Sequence, residues 1–423
     1  MKRIFYFKYN KIKTYSGIIM PGFSTQISDN CIIHLPKENL DDETRILAEK
    51  MANTEVFNHI RIMPDCHTGS NCCVGMTTEI HDKVIPQIVG GDIGCGITVL
   101  KLDKKIKEKQ YEKIDITVKQ LIPMGANNHP RPIVGDEIML EIFEKCNIKL
   151  EILKDKFPDY DFGNFQYNKN YYKKMVKRVK SYSVPGDYMR SMGTLGGGNH
   201  YIEFNIDETG QNFYLSVHCG SRNMGQAICN YHQEKIRKKS TYNKSEFFDN
   251  FLERNEMIDY FIDMVFAQEF AIKNRAVIIE VICNAIGSTY DETKIIESTH
   301  NYIDFDKFIL RKGAISADKD RLCIISLNMR DGIIICRGLG NPEWNHSCAH
   351  GCGRLMSRRD ARLTFNMREY KSAMEGIYSS CICKDTLDEL PQAYKDSQMI
   401  KDLISPSVEI VEQLRPIINI KGY

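Results

Sequence analysis

The residues of this chain with the most distinctive chemistry are concentrated in six short segments. Each segment mixes glycine with histidine, cysteine, asparagine or aspartate, a composition that packs cores poorly and permits backbone shapes that other residues cannot adopt. Loops of this kind often carry function on a rigid scaffold. The fold must therefore bring distant parts of the chain together. The segments are MPDCHTG (63–69), GGDIGCG (90–96), GTLGGGNHYIE (193–203), HCGSR (218–222), THN (299–301) and HSCAHGCGR (346–354).

Apolar periodicity predicts a mixed scaffold of helices and strands for these segments. The strand-like runs border the glycine-rich segments and the helices fill the intervals, which favours a single α/β or α+β domain. The order is irregular, so neither a Rossmann fold nor a barrel is predicted. We predict helices over residues 41–58, 136–153 and 247–274, and strands over residues 97–100, 214–217, 323–325 and 333–336.

Composition restricts the cellular setting. The chain has 423 residues, 42% of them hydrophobic, and fifteen scattered cysteines. An odd cysteine count in a long chain favours the reduced thiols of a cytoplasmic protein over a disulfide framework. We find no signal peptide and no apolar span of about eighteen residues, so we expect no membrane partner.

The net charge of +2 excludes a globally basic nucleic-acid coat but leaves a local basic groove open. Lysine and arginine are dense over residues 169–180. A solvated helix face is the more usual structure for such a run, with a nucleic-acid patch as the alternative.

A metal site is predicted from five side chains. Asp92 and Cys95 lie on a glycine-flanked turn before an apolar strand, from which a carboxylate and a thiolate can point into one cavity. This pair suits Mn, Zn, Fe or Co better than Mg or Ca, which prefer oxygen ligands. His200, His218 and His300 each end a strand-like run or sit beside glycine or asparagine, and would complete two adjacent sites. Any one of these histidines alone is more often structural than a ligand.

A nucleophile is predicted in the last segment. His350 is followed by Gly351, Gly353 and Arg354. A neutral imidazole is a competent nucleophile toward phosphorus. The glycines let backbone N–H groups approach phosphate oxygens, which a guanidinium can also clamp. Spacing alone does not separate His350 from His346 as the reactive imidazole.

Ordered motifs give the chain a family resemblance. GGDIGCG, GTLGGGNHYIE, HCGSR, THN, RKGA, RGLGNPE, HGCGRLMSR, PQAYKD and RPIINIKG occur in the order seen in the RtcB family of GTP-dependent RNA-splicing ligases, which the chain resembles. The match runs from about Asn58 to the last residues. The resemblance implies one α/β domain over residues 1–423, with twisted sheets packed as a sandwich and flanking helices. Residues 1–58 are weakly matched.

The resemblance implies a reaction and its cofactors. Two divalent ions, preferably Mn²⁺, would be held, one by Cys95, His218 and His300 and the other by Asp92, Cys95 and His200. His350 would attack GTP and become guanylylated, and GMP would pass to an RNA 3′-phosphate end. A 5′-hydroxyl end would then displace GMP, and a 2′,3′-cyclic phosphate would first be opened by water. The physiological setting would be tRNA splicing or RNA repair, with an activating protein partner left open.

Further site residues are implied by position in the motifs. Asp65, Arg222 and Arg354 are expected to contact RNA or phosphate, and the charges of Arg311 and Lys312 in RKGA add two candidate phosphate contacts. Guanylate contacts are expected from Asn199, His200, Glu203, His300, Asn301, Asn328, Met329, His350, Gly351, Gly353, Tyr394 and Lys421.

The chain departs from the family pattern in three places. Residues 326–330 read SLNMR where the family has Pro-Gly-Ser-Met-Gly, Cys352 replaces the alanine of HGAGR, and Cys219 replaces the first serine of HSGSRG. The altered loop keeps open a metal-dependent RNA end-processing phosphoesterase that does not ligate. A non-catalytic RNA- or metal-binding module is a third hypothesis, disfavoured by the complete ligand set.

Overall fold

The computed structural model describes residues 24–180 and 188–422. Within these ranges the predicted mixture of helices and strands is confirmed. The helices are α1 (Asp42–Ala52), α2 (Pro86–Val89), α3 (Tyr111–Leu121), α4 (Asp136–Lys156), α5 (Lys169–Val179), α6 (Arg222–Arg237), α7 (Arg254–Ile286), α8 (Arg358–Thr364), α9 (Met367–Ala373) and α10 (Ser397–Leu403).

The strands include all four predicted from apolar runs. They are β1 (Thr25–Ser28), β2 (Cys31–Ile33), β3 (Asn58–Thr68), β4 (Cys73–Glu79), β5 (Lys83–Val84), β6 (Gly96–Leu102), β7 (Tyr201–Asp207), β8 (Phe213–Cys219), β9 (Leu252–Glu253), β10 (Ile295–Thr299), β11 (Asn301–Asp304), β12 (Ile309–Lys312), β13 (Ala314–Ser316), β14 (Leu322–Asn328), β15 (Gly332–Gly338), β16 (Ser347–Ala349) and β17 (Val408–Lys421).

Two large sheets organise the described residues. A six-stranded sheet has the order β1-β2-β3-β4-β12-β11, and a seven-stranded sheet has the order β10-β6-β8-β7-β17-β15-β14. Neighbouring strands are antiparallel except β2 and β3. Two small sheets pair β13 with β16 and β5 with β9. The confirmed class is therefore α/β in the α+β sense, whereas the single-domain boundary over residues 1–423 stays a prediction.

One edge of the seven-stranded sheet collects the predicted ligands. Antiparallel neighbours place the end of one strand beside the start of the next. In this way Thr299 pairs with Gly96, Gly96 pairs with Cys219, and Tyr201 pairs with both His218 and Lys421. The residues that flank these positions include Cys95, His200 and His300, so three segments far apart in sequence meet at this edge.

The second sheet is joined to this edge through His300. β10 ends at Thr299 in the seven-stranded sheet, and β11 starts at Asn301 in the six-stranded sheet. The small β13–β16 sheet follows, and β16 ends at Ala349 directly before His350. The chain therefore delivers His350 to the same place where the two large sheets meet.

Helix α7 links the two main hydrophobic cores. Its first half, including Phe261, Phe266 and Phe270, packs in a core with Ile62 and Met76 of the six-stranded sheet. Its second half, with Ile278, Ile279 and Ile282, packs against strands β6, β7 and β8. The helix ends at Gly287, whose left-handed conformation (φ 68°) suits a residue without Cβ.

Two predicted helices have different bounds. The helix predicted over residues 41–58 ends at Ala52, because the run from Asn58 to Thr68 pairs as β3 with β2 and β4. The helix predicted over residues 247–274 begins only at Arg254 and continues to Ile286. The residues before it form a 3-10 turn (Phe247–Asp249) and β9, which pairs with β5. In both cases a strand partner outside the local sequence decided the bound.

The fifteen cysteines are free thiols, and fourteen of them are buried. Cys383, which precedes the 3-10 helix Lys384–Glu389, is the one that is partly exposed. In the described ranges no helix is both long enough and apolar enough to cross a bilayer.

Candidate active site

Five predicted ligands form one cluster of donor atoms. Sγ of Cys95 lies 3.3 Å from Nε2 of His200 and 3.2 Å from Nε2 of His218. Nε2 of His218 lies 3.3 Å from Nε2 of His300, and Nε2 of His200 lies 3.1 Å from Oδ2 of Asp92. Within the described ranges Cys95, His200 and His218 form a group able to hold a metal ion.

Backbone and buried side chains fix the turn that carries Asp92 and Cys95. The amide of Cys95 donates to the carbonyl of Asp92, and the amide of His300 donates to the carbonyl of Cys95. Arg275 of α7 is fully buried and donates to the carbonyls of Gly94 (2.7 Å) and Cys219 (2.6 Å). The ligand-bearing turn and the end of β8 are therefore tied to one guanidinium.

The protonation states of His218, His300 and Asp92 favour metal binding. Burial lowers the pKa of His218 and of His300 well below its usual value, assisted by neighbouring histidines. Their imidazoles are therefore neutral, the form that binds metals. Burial also opposes ionisation of Asp92, but His200 reverses this effect and holds the pKa of the carboxyl below its usual range. Burial raises the pKa of the Cys95 thiol to about 12, so thiolate formation there requires a cation.

His350 lies beside this cluster with a carboxylate behind it. Its ring centroid is 4.8 Å from that of His300. Nδ1 of His350 lies 2.7 Å from Oδ2 of Asp65, which also accepts hydrogen bonds from the backbone N–H groups of His350 (3.2 Å) and Gly351 (3.1 Å). A carboxylate at Nδ1 leaves Nε2 as the nitrogen available for attack.

The structure separates the two histidines that spacing could not rank. His350 lines a cavity of about 370 Å³ together with Asp92, Cys95, His218 and His300. The ring of His346 instead has its Nδ1 3.1 Å from the carbonyl of Gly340, and it does not line this cavity.

Two glycines allow the close packing around His350. A Cβ at Gly353, where φ is 68°, would lie 1.8 Å from the carbonyl oxygen of Asp65. At Gly313 (φ 64°) a Cβ would lie 2.3 Å from Val74 and 3.2 Å from the His350 ring. The N–H of Gly351 is occupied by Asp65. The glycines therefore serve the fit of the His350 loop against its neighbours, in addition to any role toward phosphate.

Polar groups from the adjacent strands β7 and β17 also line the cavity. Glu203 of β7 is buried and accepts hydrogen bonds of 2.6 Å from Asn205 and from Asn419, its cross-strand partner. Burial raises the pKa of Glu203 to about 7. Lys421 donates to Glu389 at 2.8 Å and to the carbonyl of Asn199 at 3.4 Å. Cationic and carboxyl groups are thus both present in this part of the cavity lining.

Most of the predicted contact residues line this cavity. They are Asn199, Glu203, Asn301, Asn328, Met329, Gly351, Gly353, Arg354, Tyr394 and Lys421. The side chains of Asn328 and Met329 are engaged elsewhere: Asn328 donates to Asp331 and accepts from two amides of its turn, whereas Sδ of Met329 accepts from Tyr370.

Three expected phosphate contacts need correction. The expected contact of Asp65 with RNA ends does not fit its position, because the carboxylate is fully buried beneath His350. Arg222 is outside the cavity lining and ties two loops together through Thr194 and the carbonyl of Gly125. Arg311, a possible phosphate ligand from the RKGA motif, is buried in an ion pair with Asp304.

Sequence reasoning missed a second buried carboxylate of the cavity. Glu389 interacts with Arg354, Arg358, Tyr394 and Lys421. Burial opposes its ionisation, but Lys421 and the arginines lower its pKa to about 2. His67 also lines the cavity. Glu389 stands two residues before the PQAYKD motif, and nothing in its spacing indicates four partners drawn from other segments.

The fold and the site define a class: an α/β protein with a His/Cys/Asp cluster that could hold a metal ion and, beside it, a histidine whose ring faces a buried carboxylate. The family model described as tRNA-splicing ligase RtcB matches residues 47–422. The chain therefore belongs to the RtcB family.

Individual relatives agree over nearly the whole length. The chain is 29% identical to RNA-splicing ligase RtcB of Escherichia coli (strain K12), over 87% of this chain and 91% of the relative. It is 24% identical to tRNA-splicing ligase RtcB of Archaeoglobus fulgidus, over 100% of this chain and 99% of the relative. RNA-splicing ligase RtcB2 of a second E. coli strain is 26% identical over 88% of this chain.

Proposed function

We propose that the chain is an RNA ligase that joins RNA 3′-phosphate or 2′,3′-cyclic phosphate ends to 5′-hydroxyl ends through a guanylylated His350. The observation that carries this proposal is the position of His350, whose ring lies 4.8 Å from His300 of the donor cluster and whose Nδ1 faces Asp65. Membership of a family whose relatives are named RNA-splicing ligases supports the same reaction.

The donor set fits a divalent transition metal. Nitrogen, sulfur and carboxylate donors, with each imidazole contributing its Nε2, converge within 3.1–3.3 Å contacts. Such donors suit Mn²⁺ or Zn²⁺ better than Mg²⁺. We assign one ion to Cys95, His218 and His300, and a second to Asp92, Cys95 and His200. When bound, the ions would neutralise charge that develops on the nucleotide phosphates.

The chemistry of His350 then follows from its orientation. Nε2 attacks the α-phosphorus of GTP, a phosphorus–nitrogen bond forms, and the bond to the β-phosphate oxygen breaks with release of pyrophosphate. An oxygen of the RNA 3′-phosphate next attacks the same phosphorus and breaks that phosphorus–nitrogen bond. The 5′-hydroxyl of the second strand finally attacks the RNA phosphorus, loses its proton and displaces GMP. A cyclic phosphate end would first be opened by water.

The nucleotide contacts follow from the part of the cavity lined by β7 and β17. Glu203 in its ionised form offers acceptors to the N–H groups of guanine, and Lys421 offers a donor to the guanine carbonyl. Both residues lie at the same end of the paired strands β7 and β17. Asn199, Asn301, Tyr394 and the backbones of residues 328–329, 351 and 353 complete the assigned guanylate contacts, with Arg354 directed to phosphate.

Incubation with Mn²⁺ and GTP labelled at the α-phosphate tests the mechanism. Acid-labile label on the protein is expected, and it should disappear in His350→Ala. The matched control is His346→Asn, because this histidine lies in the same segment outside the cavity and asparagine tolerates its φ of 49°. Label that survives in His350→Ala would refute the assignment.

A second arm separates ligation from end processing. RNA with a cyclic phosphate end and a 5′-hydroxyl partner should be joined only when GTP is present. Opening of the cyclic end without joining, with or without GTP, would instead identify a phosphoesterase.

A further inference from the structure

The helix α5 carries an unusual density of positive charge. No aspartate or glutamate occurs between Asp161 and Asp187, whereas six lysines and arginines lie in residues 169–180. The helix starts at a good cap, because the side chain of Asn168 accepts from the amides of residues 170 and 171. The charge therefore lies on a regular helix and its positions can be assigned to faces.

One face of α5 is fixed in the core. Tyr171, Met175 and Val179 are buried at four-residue spacing. The hydroxyl of Tyr171 and the guanidinium of Arg178 both donate to Asp263 of α7, whose side chain is fully buried. His232 of α6 contacts the other oxygen of Asp263 at 2.7 Å. These contacts hold α5 firmly against the two helices that lead to the candidate active site.

The opposite face has no anionic partner. Lys173, Lys174, Lys177 and Lys180 are exposed, and none has a carboxylate within 4.0 Å in the described part of the chain. The two other cations of the run differ, since Lys169 pairs with Asp136 and Arg178 with Asp263. We name the four unpaired residues the lysine face. They span the eight residues 173–180, or about 10 Å along the helix axis.

The lysine face is connected to the metal centre through α7. Asn274 of this helix accepts from the amides of Gly193 and Thr194 and donates to the carbonyl of Gly220, in the loops next to His200 and His218. Asp263 precedes Asn274 by eleven residues, a distance of about 16 Å along the helix. The lysine face lies on the side of α5 that points away from Asp263, so a strand that reaches it from the ligand cluster must cover more than this length, or more than about five nucleotides at about 3.4 Å each.

We infer that the lysine face binds the phosphodiester backbone of the RNA strand whose end enters the candidate active site. This inference rests on the proposed function for the identity of the strand. An unpaired row of lysines matches a polyanion by charge, and its contacts are indifferent to base sequence. A membrane surface is disfavoured because the apolar side of α5 is buried in the core and cannot enter lipid.

The test replaces all four lysines by glutamine, which keeps the helix propensity. The matched control replaces Lys105, Lys107, Lys109 and Lys113, four exposed lysines at the start of α3 that also lack a carboxylate within 4.0 Å in the described ranges. Both variants change the net charge equally. Dissociation constants are measured by fluorescence anisotropy between 0.1 and about 0.5 M NaCl with labelled single-stranded RNA ending in a 3′-phosphate.

For a 20-nucleotide RNA, the lysine-face variant should bind at least about tenfold more weakly near 0.15 M salt, with the slope of log K against log salt reduced by about 3. A 4-nucleotide RNA, too short to reach α5, should bind the variant and the parent equally. The control variant should retain parent affinity and slope.

Three RNA-binding results would overturn the inference. The lysine-face variant could bind the 20-nucleotide RNA with parent affinity, it could lose affinity equally for the 4-nucleotide RNA, or the control variant could lose affinity equally. The inference would also be overturned if the lysine-face variant lost binding to anionic vesicles but bound RNA like the parent. Guanylylation of His350 needs no RNA and is measured in the separate GTP-labelling experiment. Failure of that reaction in the parent therefore marks failure of the proposed function, while the binding data still decide the role of the lysine face.

Discussion

At the scale of single residues, the candidate site depends on buried carboxyl groups in contrasting environments. Asp65 lies against the His350 ring, Glu389 is surrounded by cations, and Glu203 is bordered by amides. The first orients an imidazole, the second orders a set of cationic side chains, and the third titrates near neutral pH. Two of these roles lead to measurable expectations.

Asp65→Asn should slow guanylylation of His350 by about a hundredfold or more, because an amide cannot act as the anionic partner of Nδ1 in the same way. The single-turnover rate with saturating GTP and Mn²⁺ measures the effect. The volume changes little, so the thermal unfolding midpoint serves as a control for folding. A variant that reacts at the parent rate would show that the carboxylate does not orient the imidazole.

Glu203→Gln should change how stability depends on pH. The pKa of Glu203 is raised from 4.5 to about 7 in the folded protein, so its contribution to stability is fully present below pH 4.5 and is lost as pH rises through 7. Glutamine does not ionise, so the variant does not lose this stability as the pH rises. The variant should gain roughly 1–3 kcal/mol relative to the parent between pH 4.5 and 7.5, as measured by urea unfolding. Parallel pH profiles for the two proteins would contradict the raised pKa.

At the scale of elements, helix α7 holds in place the loops that carry the proposed metal ligands. Its Asn274 and Arg275 contact three loops that precede or follow ligands, and Arg275 also forms a buried ion pair with Glu297 of β10. Loops that carry ligands at strand ends are thus held from behind by one long helix. This arrangement explains why a helix interior contains buried polar side chains at all.

Arg275→Met should lower the free energy of unfolding by about 3–5 kcal/mol, because it leaves Glu297 without its cationic partner and the carbonyls of Gly94 and Cys219 without the guanidinium donor. Urea unfolding measures the change. Arg237→Met on α6 provides the comparison: Arg237 is half exposed and its contact with Glu234 is 3.7 Å, so the cost there should stay below about 1 kcal/mol. Similar costs for both variants would show that Arg275 is not a support of the site.

Many of the strands and helices were predictable from sequence, whereas the helix bounds and the contacts of Glu389 depend on partners that are distant in sequence. The strands around residues 97–100 and 214–217 were visible as apolar runs, and the residues beside them proved to adjoin the donor cluster. The early start predicted for α7 failed because Leu252 and Glu253 pair with β5, a partner that local periodicity does not reveal. Glu389 escaped notice because its partners come from four separate positions.

At the scale of the whole molecule, the cluster of proposed metal ligands lies where the two large sheets meet, so a metal ion bound there should stabilise the entire fold. At a concentration one hundred times its dissociation constant, Mn²⁺ should raise the free energy of unfolding by about 2.7 kcal/mol, and a chelator should reverse the gain. Thermal unfolding with and without Mn²⁺ measures the shift. Cys95→Ala should lose it, whereas Cys146→Ala, a buried cysteine in a core remote from the ligand set, should keep it. An undiminished shift in Cys95→Ala would exclude that thiol as a ligand.

The distribution of thiols leaves Cys383 as the one cysteine of the folded protein that is partly exposed to a thiol reagent. With fourteen cysteines buried and Cys383 partly exposed, a maleimide dye should add once to the native protein and fifteen times in urea, as intact-mass spectrometry can count. Several fast adducts on the native protein would contradict the burial. Cys383 precedes the turn that ends at Glu389, the partner of Lys421. A fluorophore placed there needs no mutagenesis, and a change in its emission on addition of GTP would test the proposed binding of the nucleotide near Glu389.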